Sequence, residues 1–276
     1  MEVNLYFHCR KLKLYRLFVL YIDAMIKKTI QKIKKIMPKE LKAFIYEKII
    51  CLIIQPRYLH EQSTFSQVGE DAILKFLFSD YGMDLSKISY LDIGARHPTN
   101  GSNTFLFYSL GSKGVCVDAD KGSIPLIKEL RPRDKVLNLA ISNSKKKVGH
   151  LFFMEGGGST LDKEEFKSRK DGEKSEKVNT FEVPLLNINL LIKKTFKTYP
   201  VFLSIDIEGL DLSVLESLDF TKYPIPVICA ETCRYSKNHV RPKDNSISKF
   251  LVSKGYEIYA DTYVNTIFIN KKWFYK

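Results

Sequence analysis

Chemistry in this chain concentrates where short apolar runs meet carboxylates. Asp92 lies in Lys87–Ile93, just before Gly94-Ala95, and Asp118 closes Gly114-Val115-Cys116-Val117. Asp206 and Glu208 follow Val201–Ile205, and Glu231 follows Pro226–Ala230. An apolar run ending in an acid reads as a buried strand whose tip presents a polar group. Alternate strand residues point the same way, so Asp206 and Glu208 are expected on one face. Gly94-Ala95 gives a tight turn of small residues where a ligand can approach the backbone closely. A β-α-β unit with acids at both strand tips is a cradle for a nucleoside, the second acid accepting from ribose hydroxyls. That makes Asp92, Gly94, Ala95 and Asp118 candidates for ligand binding and Asp206, Glu208 or His97 a candidate base. The plain alternatives are a polar helix cap at Asp206-Glu208-Gly209 and a loop hydrogen bond from His97.

The type of nucleoside follows from the glycines. A dinucleotide needs G-x-G-x-x-G, because its pyrophosphate sits on bare backbone N–H groups at a helix start. Here Arg96 and His97 stand where further glycines belong, which counts against NAD. S-adenosylmethionine has ribose and adenine but no phosphate, so one glycine and flanking carboxylates suffice. The competing reading at this stage is a structural β-α-β unit with no ligand.

The elements that must position these groups can be read in order. Thr64–Asp71 opens a helix, with Ser66 as its N-cap and Glu70 and Asp71 in its first turn; Gln67 and Glu70 are candidate ligand contacts. Asn100–Leu110 reads as the helix after the first strand, and Lys121–Leu130 as the next, stopped at Arg131-Pro132. Lys135–Ile141 is a third strand, whose tip would bring Ala140 to an adenine ring. Lys145–Met154 reads as a hairpin arm and 155–160 as a glycine-rich turn. The polar run 162–177 reads as a lid or a surface insertion. Thr180–Leu186 is a strand, followed by an amphipathic helix through Phe196. Leu212–Leu218 and 246–254 are helices, and Tyr256–Ala260 with Asn265–Asn270 forms a terminal antiparallel hairpin.

The chain has 276 residues, 45% hydrophobic, enough for a full core plus an appendage. Its net charge of +13 is uneven: residues 1–60 hold thirteen Lys/Arg against four acids, leaving only +4 on the rest. The basic character thus belongs to the N-terminal segment, and a nucleic-acid partner for the globular part is not expected. Residues 8–36 alternate basic and apolar positions at helical spacing, and Glu40–Ile54 follows Pro38 as a second helix. This predicts a basic amphipathic extension over 1–62, with peripheral membrane contact through residues 8–54 or packing on a protein surface as alternatives. The apolar run Leu17–Ile26 is interrupted by Asp23 and is too short to span a bilayer. Five cysteines, odd in number and mostly in apolar runs, fit buried thiols in the cytoplasm. Cys229 and Cys233 have no second pair, so a zinc site is not expected.

The set of motifs resembles the FkbM family of S-adenosylmethionine-dependent methyltransferases. The matching pieces are Ser66-Gln67-x-Gly69-Glu70-Asp71, Leu91-Asp92-Ile93-Gly94-Ala95-x-His97-Pro98, Asn103-Thr104-x-x-Phe107-Tyr108 and Gly114-x-x-x-Asp118. They continue through Ala140-Ile141-Ser142, Leu203–Asp211 with Val214-Leu215, and the strand ending in Glu231, spanning about 64–270. The resemblance implies an α/β, class I methyltransferase, Rossmann-like domain over 63–276. Its expected sheet is seven-stranded and mostly parallel, with a terminal antiparallel hairpin. It also implies O-methylation of a hydroxyl, often on a sugar or a polyketide-type natural product. A sugar or glycan hydroxyl, in polysaccharide biosynthesis, or a similar small molecule is the expected acceptor. Two departures stand out: Arg96 where the family run suggests Asn, and Asp118-Ala119 where Glu-Pro is commoner. Asp206, Glu208 and Glu231 could also take Mg²⁺, as hard cations take carboxylates, although no ligand spacing demands a metal. Two alternatives stay open: a Rossmann-like oxidoreductase, and a non-catalytic, membrane-associated S-adenosylmethionine-binding domain.

Overall fold

The chain is seen as a computed structural model in which residues 64–153, 159–163, 166–167, 179–234 and 242–276 are described. The expected extension over 1–62, its membrane contact through 8–54 and the boundary at 62/63 lie outside these residues. So does most of the glycine turn at 155–160 and of the polar run at 162–177.

Seven strands form the main sheet. They are β1 (Tyr90–Ile93), β2 (Gly114–Asp118), β3 (Lys135–Asn138), β7 (Phe202–Ile205), β8 (Val227–Glu231), β9 (Tyr256–Asp261) and β10 (Asn265–Asn270). Their order across the sheet is β3-β2-β1-β7-β8-β10-β9. The first five in that order are parallel, and β10 runs antiparallel between β8 and β9. β1 and β7 are buried along their whole length, as parallel strands covered on both faces must be, which is why they read as continuous apolar runs. Leu91, Val117, Leu203, Ile228 and Phe268 belong to one core with Leu215 and Leu251 from the covering helices. Those helices are α5 (Asp211–Glu216) and α6 (Ser246–Ser253). The expected architecture, a seven-stranded mostly parallel sheet with an antiparallel hairpin, is the one found.

Several boundaries differ from expectation for local reasons. The first helix, α1 (Glu70–Asp80), has Gly69 as its N-cap. Ser66 instead accepts from the Gly69 and Asp71 N–H groups across a preceding turn. The helix after β1 is only α2 (Phe105–Ser109), because Asn100–Thr104 is used in turns. After β2 comes α3 (Ile124–Leu130).

The expected third strand breaks at Leu139. β3 ends at Asn138, and β4 (Ala140–Ile141) leaves to join β5 (Val148–Phe152) and β6 (Thr180–Leu186). These three form a second sheet of order β4-β6-β5. Asn138 marks the break, its side-chain amide donating to the Asp118 and Ala119 carbonyls at 3.0 and 3.1 Å. β5, the expected hairpin arm, pairs antiparallel with β6. The helix α4 (Ile188–Thr195) follows, capped by Asn187, whose side chain accepts from Asn189 N–H. A last short helix, α7 (Lys271–Phe274), closes the chain.

Candidate active site

The strand order reverses between β1 and β7, since β2 and β3 lie on one side of β1 and β7 and β8 on the other. Open α/β sheets bind ligands at the carboxyl ends of strands at such a switch point. A cavity of about 270 Å³ lies there, lined by Gly94–Arg96 after β1, Asp118–Asp120 after β2 and Asp206–Glu208 after β7. Leu139–Ile141 and, from the small sheet and its return, Leu151, Phe153 and Ser159–Leu161 form its other wall. Gln67, Ile93, Asn100, Gly101 and Val117 complete the lining.

Gly94 is required by the fold. Its φ is +86°, and a Cβ there would stand 1.8 Å from the Asp206 carbonyl oxygen. Asp206 N–H in turn donates to the Ile93 carbonyl at 3.0 Å, so the tips of β1 and β7 are in close contact. The N–H groups of Gly94 and Ala95 both donate to the Val117 carbonyl, at 2.9 and 3.1 Å. They are therefore spent within the fold, whereas a pyrophosphate site needs such groups aimed at the ligand.

Asp118 is buried. One oxygen accepts from Asp120 N–H at 2.7 Å and the other from Arg96 N–H at 2.5 Å. A carboxylate has about four acceptor positions, so both oxygens retain capacity for ligand hydroxyls. Burial raises the Asp118 pKa, and the two backbone donors draw it only part of the way back. Arg96 reaches its bond from a left-handed backbone, φ 43°.

Asp206, Glu208 and Glu231 gather beside this cradle, each offering a carboxylate oxygen within 4.8 Å of the others. The expectation that Asp206 and Glu208 share a face through strand alternation is corrected. β7 ends at Ile205, and Glu208 is in the left-handed region, φ 54°, so the turn rather than the pleat brings them together. The turn is fixed from below by Asp211, whose Oδ1 accepts from Ile207 N–H at 3.1 Å. The Asp206 Oδ1 is buried and has no hydrogen-bond partner among the described residues. Burial and then the charges of Glu231, Glu208 and Asp211 raise its pKa well above the usual carboxylate range. By donor chemistry the three carboxylates can take a proton or a hard cation.

Other expected site residues are employed elsewhere. Asp92 does not line the cavity. It accepts from Thr104 Oγ1 at 2.5 Å and lies 3.7 Å from Arg131 in a buried network. Arg131, fully buried, also bonds Asp134 at 2.7 Å, and Asp134 accepts from Tyr90 OH and Gly114 N–H. Asp92 thus anchors β1 to the end of α3. Burial raises its pKa, opposed by Arg131.

Glu70 is likewise absent from the lining. Its oxygens accept from Thr262 Oγ1 (2.7 Å), Asn265 Nδ2 (2.9 Å) and Val68 N–H (2.9 Å), joining the start of α1 to the turn of the terminal hairpin. Burial alone would raise its pKa, but the bonds from Asn265, Thr262 and Val68 outweigh this and lower it. His97 does not line the cavity either. Its Nδ1 accepts from Asn100 N–H at 2.9 Å and Thr99 N–H at 3.2 Å, organising its own loop. Burial and then Arg96 lower its pKa. Gln67, Gly94, Ala95, Asp118, Ala140, Asp206 and Glu208 are the expected residues that do converge on the cavity.

Two contributors are not singled out by sequence reasoning: Asp120, two residues after Asp118, and Thr160. The Thr160 hydroxyl donates to the Glu208 carbonyl at 2.8 Å. Asp120 has a visible signal in the Asp118-Ala119-Asp120 spacing; Thr160 has none, because its partner is 48 residues away.

Residues 92–258 match the family described as Methyltransferase FkbM domain. Among solved structures, the chain is similar to an O-methyltransferase from Bacillus cereus in complex with SAH. Identity is 13% and the TM-score 0.36, over 88% of this chain and 97% of that one. It is also similar to the human methyltransferase 10 domain containing protein, at 10% identity and a TM-score of 0.40, over 82% and 95% of the two chains. No curated protein matches the chain.

Proposed function

Since the chain belongs to the FkbM methyltransferase family and is an S-adenosylmethionine-dependent methyltransferase, we propose that its acceptor is a hydroxyl of a sugar or glycan. The observation that supports S-adenosylmethionine as the ligand is the charge of the cavity, and the acceptor class follows from the family resemblance set out above. Asp118, Asp120, Asp206 and Glu208 line it, with Arg96 as the one basic residue among the described residues of its lining. Such a lining suits a cationic ligand and opposes a diphosphate. With the Gly94 and Ala95 N–H groups spent on Val117, this disfavours the oxidoreductase alternative.

The residues fit the cofactor. Asp118 has acceptor positions left for ribose hydroxyls, and Ala119, Leu139, Ala140 and Ile141 offer an apolar seat for adenine. When bound, S-adenosylmethionine supplies an electrophilic methyl carbon on a sulfonium. The cavity walls orient the acceptor oxygen. A carboxylate oxygen of the Asp206–Glu208–Glu231 group takes the hydroxyl proton as the acceptor O–H bond breaks. Burial and then the charges of Glu231, Glu208 and Asp211 raise the Asp206 pKa, which strengthens its ionised carboxylate as a proton acceptor.

A hard divalent cation such as Mg²⁺ is a second reading of the same three acids, supported by their mutual distance of 4.8 Å or less. A rise of the unfolding temperature with Mg²⁺, lost in Asp206→Asn, would select it. The buried thiols of Cys116, Cys229 and Cys233 support a reducing, cytoplasmic location. The basic segment 8–54 supports peripheral membrane contact. No helix among the described residues is long and apolar enough to cross a membrane.

Calorimetric titration of the full chain with S-adenosylmethionine, S-adenosylhomocysteine and NAD tests the site, with Asp118→Ala as control. Binding of the first two, weakened at least tenfold by the substitution, is expected; binding of NAD alone overturns the reading. Methyl transfer from labelled S-adenosylmethionine to a saccharide panel then tests the acceptor class. Transfer to peptides or phenols but to no saccharide would refute the sugar assignment.

A further inference from the structure

The turn that carries Glu208 combines two features. Glu208 occupies the left-handed region, φ 54°, although it is not glycine, a conformation strained for an L-residue. Its carbonyl oxygen is also the acceptor of a side-chain hydroxyl from outside the main sheet, Thr160 Oγ1 at 2.8 Å. Strained backbone persists where neighbours over-determine it, and Thr160 is such a neighbour.

Thr160 itself is tightly fixed. It is 1% exposed. Its N–H donates to the Phe152 carbonyl at 3.1 Å, and its carbonyl accepts from Phe152 N–H at 2.8 Å. These bonds tie it to the end of β5. Its hydroxyl oxygen accepts from Asp162 N–H at 3.0 Å, so the hydroxyl proton is left for the Glu208 carbonyl. Thr160 and Glu208 both line the cavity. The small sheet is therefore hydrogen-bonded to the acidic turn across the cavity wall.

We propose that Thr160 is a positioning residue for the transfer site. By holding the Glu208 carbonyl it fixes the left-handed turn that places the Glu208 carboxylate beside Asp206 and Glu231. The share of the cavity's negative charge that Glu208 presents to a bound cation then depends on this hydroxyl, which holds the turn together with Asp211. The inference rests on the methyltransferase reading above. It needs no knowledge of the acceptor, because S-adenosylmethionine and S-adenosylhomocysteine differ by the methyl group and positive charge at sulfur.

The test is calorimetric, on the full chain, with both ligands and four proteins: parent, Thr160→Val, Thr160→Ser and Glu208→Gln. Thr160→Val is near-isosteric and keeps the β-branch and both backbone bonds, while Thr160→Ser keeps the hydroxyl. In Thr160→Val the preference for S-adenosylmethionine over S-adenosylhomocysteine is expected to shift against the cation by about three- to tenfold, the scale of one displaced charge. Affinity for S-adenosylhomocysteine is expected to be retained. Thr160→Ser should restore the parent ratio, Glu208→Gln should reproduce the loss, and the Val/Gln double variant should be no worse than Gln alone. An unchanged ratio in Thr160→Val overturns the proposal, as does an equal loss of both ligands that Ser fails to restore. Failure of the parent to bind either ligand instead overturns the methyltransferase-site reading on which it rests.

Discussion

Replacing Gly94 by Ala is the sharpest probe of how the strand tips build the cavity. The new Cβ would lie 1.8 Å from the Asp206 carbonyl oxygen and 2.9 Å from its carbon. Reaching even the 3.0 Å below which Cβ contacts essentially do not occur requires about 1.2 Å of movement. Both partners are backbone, so no side-chain rotation relieves the contact. Gly255, with φ +89° and nothing within 4 Å of where a Cβ would stand, is the control, since it carries the same conformational strain without a clash. Gly255→Ala is expected to cost about 1–2 kcal/mol. Gly94→Ala adds an overpacking penalty of about 1–3 kcal/mol, for about 2–5 kcal/mol in all. Urea unfolding of both variants measures the difference, and calorimetry with S-adenosylhomocysteine measures the site. Gly94→Ala should also lose binding, because Asp206 moves with its carbonyl. Equal destabilisation of the two variants, with parent-like binding in Gly94→Ala, would refute this account of the strand tips.

Asp211 and Arg131 give two further tests. Burial, the largest cause, raises the Asp211 pKa from 3.8 to about 6. A carboxyl whose folded pKa is raised stabilises the fold fully below its unfolded pKa, and that contribution is lost as pH rises through about 6. The loss approaches about 3 kcal/mol for a shift of about two units. Asp211→Asn keeps an acceptor for Ile207 N–H, so its stability relative to the parent should increase between pH 4 and pH 8; a pH-independent difference in urea midpoints would contradict this. Arg131→Met leaves Asp92 and Asp134 buried without their cation and should cost about 3–5 kcal/mol in the same assay. A parent-like midpoint would mean that the pair is dispensable.

What is legible in the sequence is the frame. β1, β2, β7 and β8 are buried on both faces, so their apolar runs and terminal acids stand out, and Gly94 marks the turn between strand and cavity. β6 and β10 fall at the residues their alternation or composition indicates, Thr180–Leu186 and Asn265–Asn270. What is not legible depends on partners distant in sequence. Glu70 has the type and place of a ligand residue, but its acceptors are filled from Thr262 and Asn265, 192 and 195 residues on. Asp92 sits at a strand tip in the sequence, yet Arg131 draws it into the interior. Arg131-Pro132 reads as a helix stop, and nothing local announces a buried guanidinium. The break after Asn138 is hidden for a similar reason: Lys135–Ile141 is one β-like run, and only the second sheet reveals that Ala140 and Ile141 belong elsewhere. His97 shows the limit of residue type alone, because its nearest N–H groups claim the nitrogen that a base would use.

The position of β10 has a consequence for the order of assembly. β10 is the last strand in the chain but an interior strand of the sheet, lying between β8 and β9. During synthesis β8 can pair with β7 as soon as both have emerged, yet its other edge stays open until Asn265–Asn270 is made. That edge belongs to Val227-Ile228-Cys229-Ala230, buried throughout in the finished fold. An uncovered apolar edge is a template for pairing between chains. The C-terminal hairpin is thus what covers this edge, and Glu70, bonded to its turn, ties the first described helix to it.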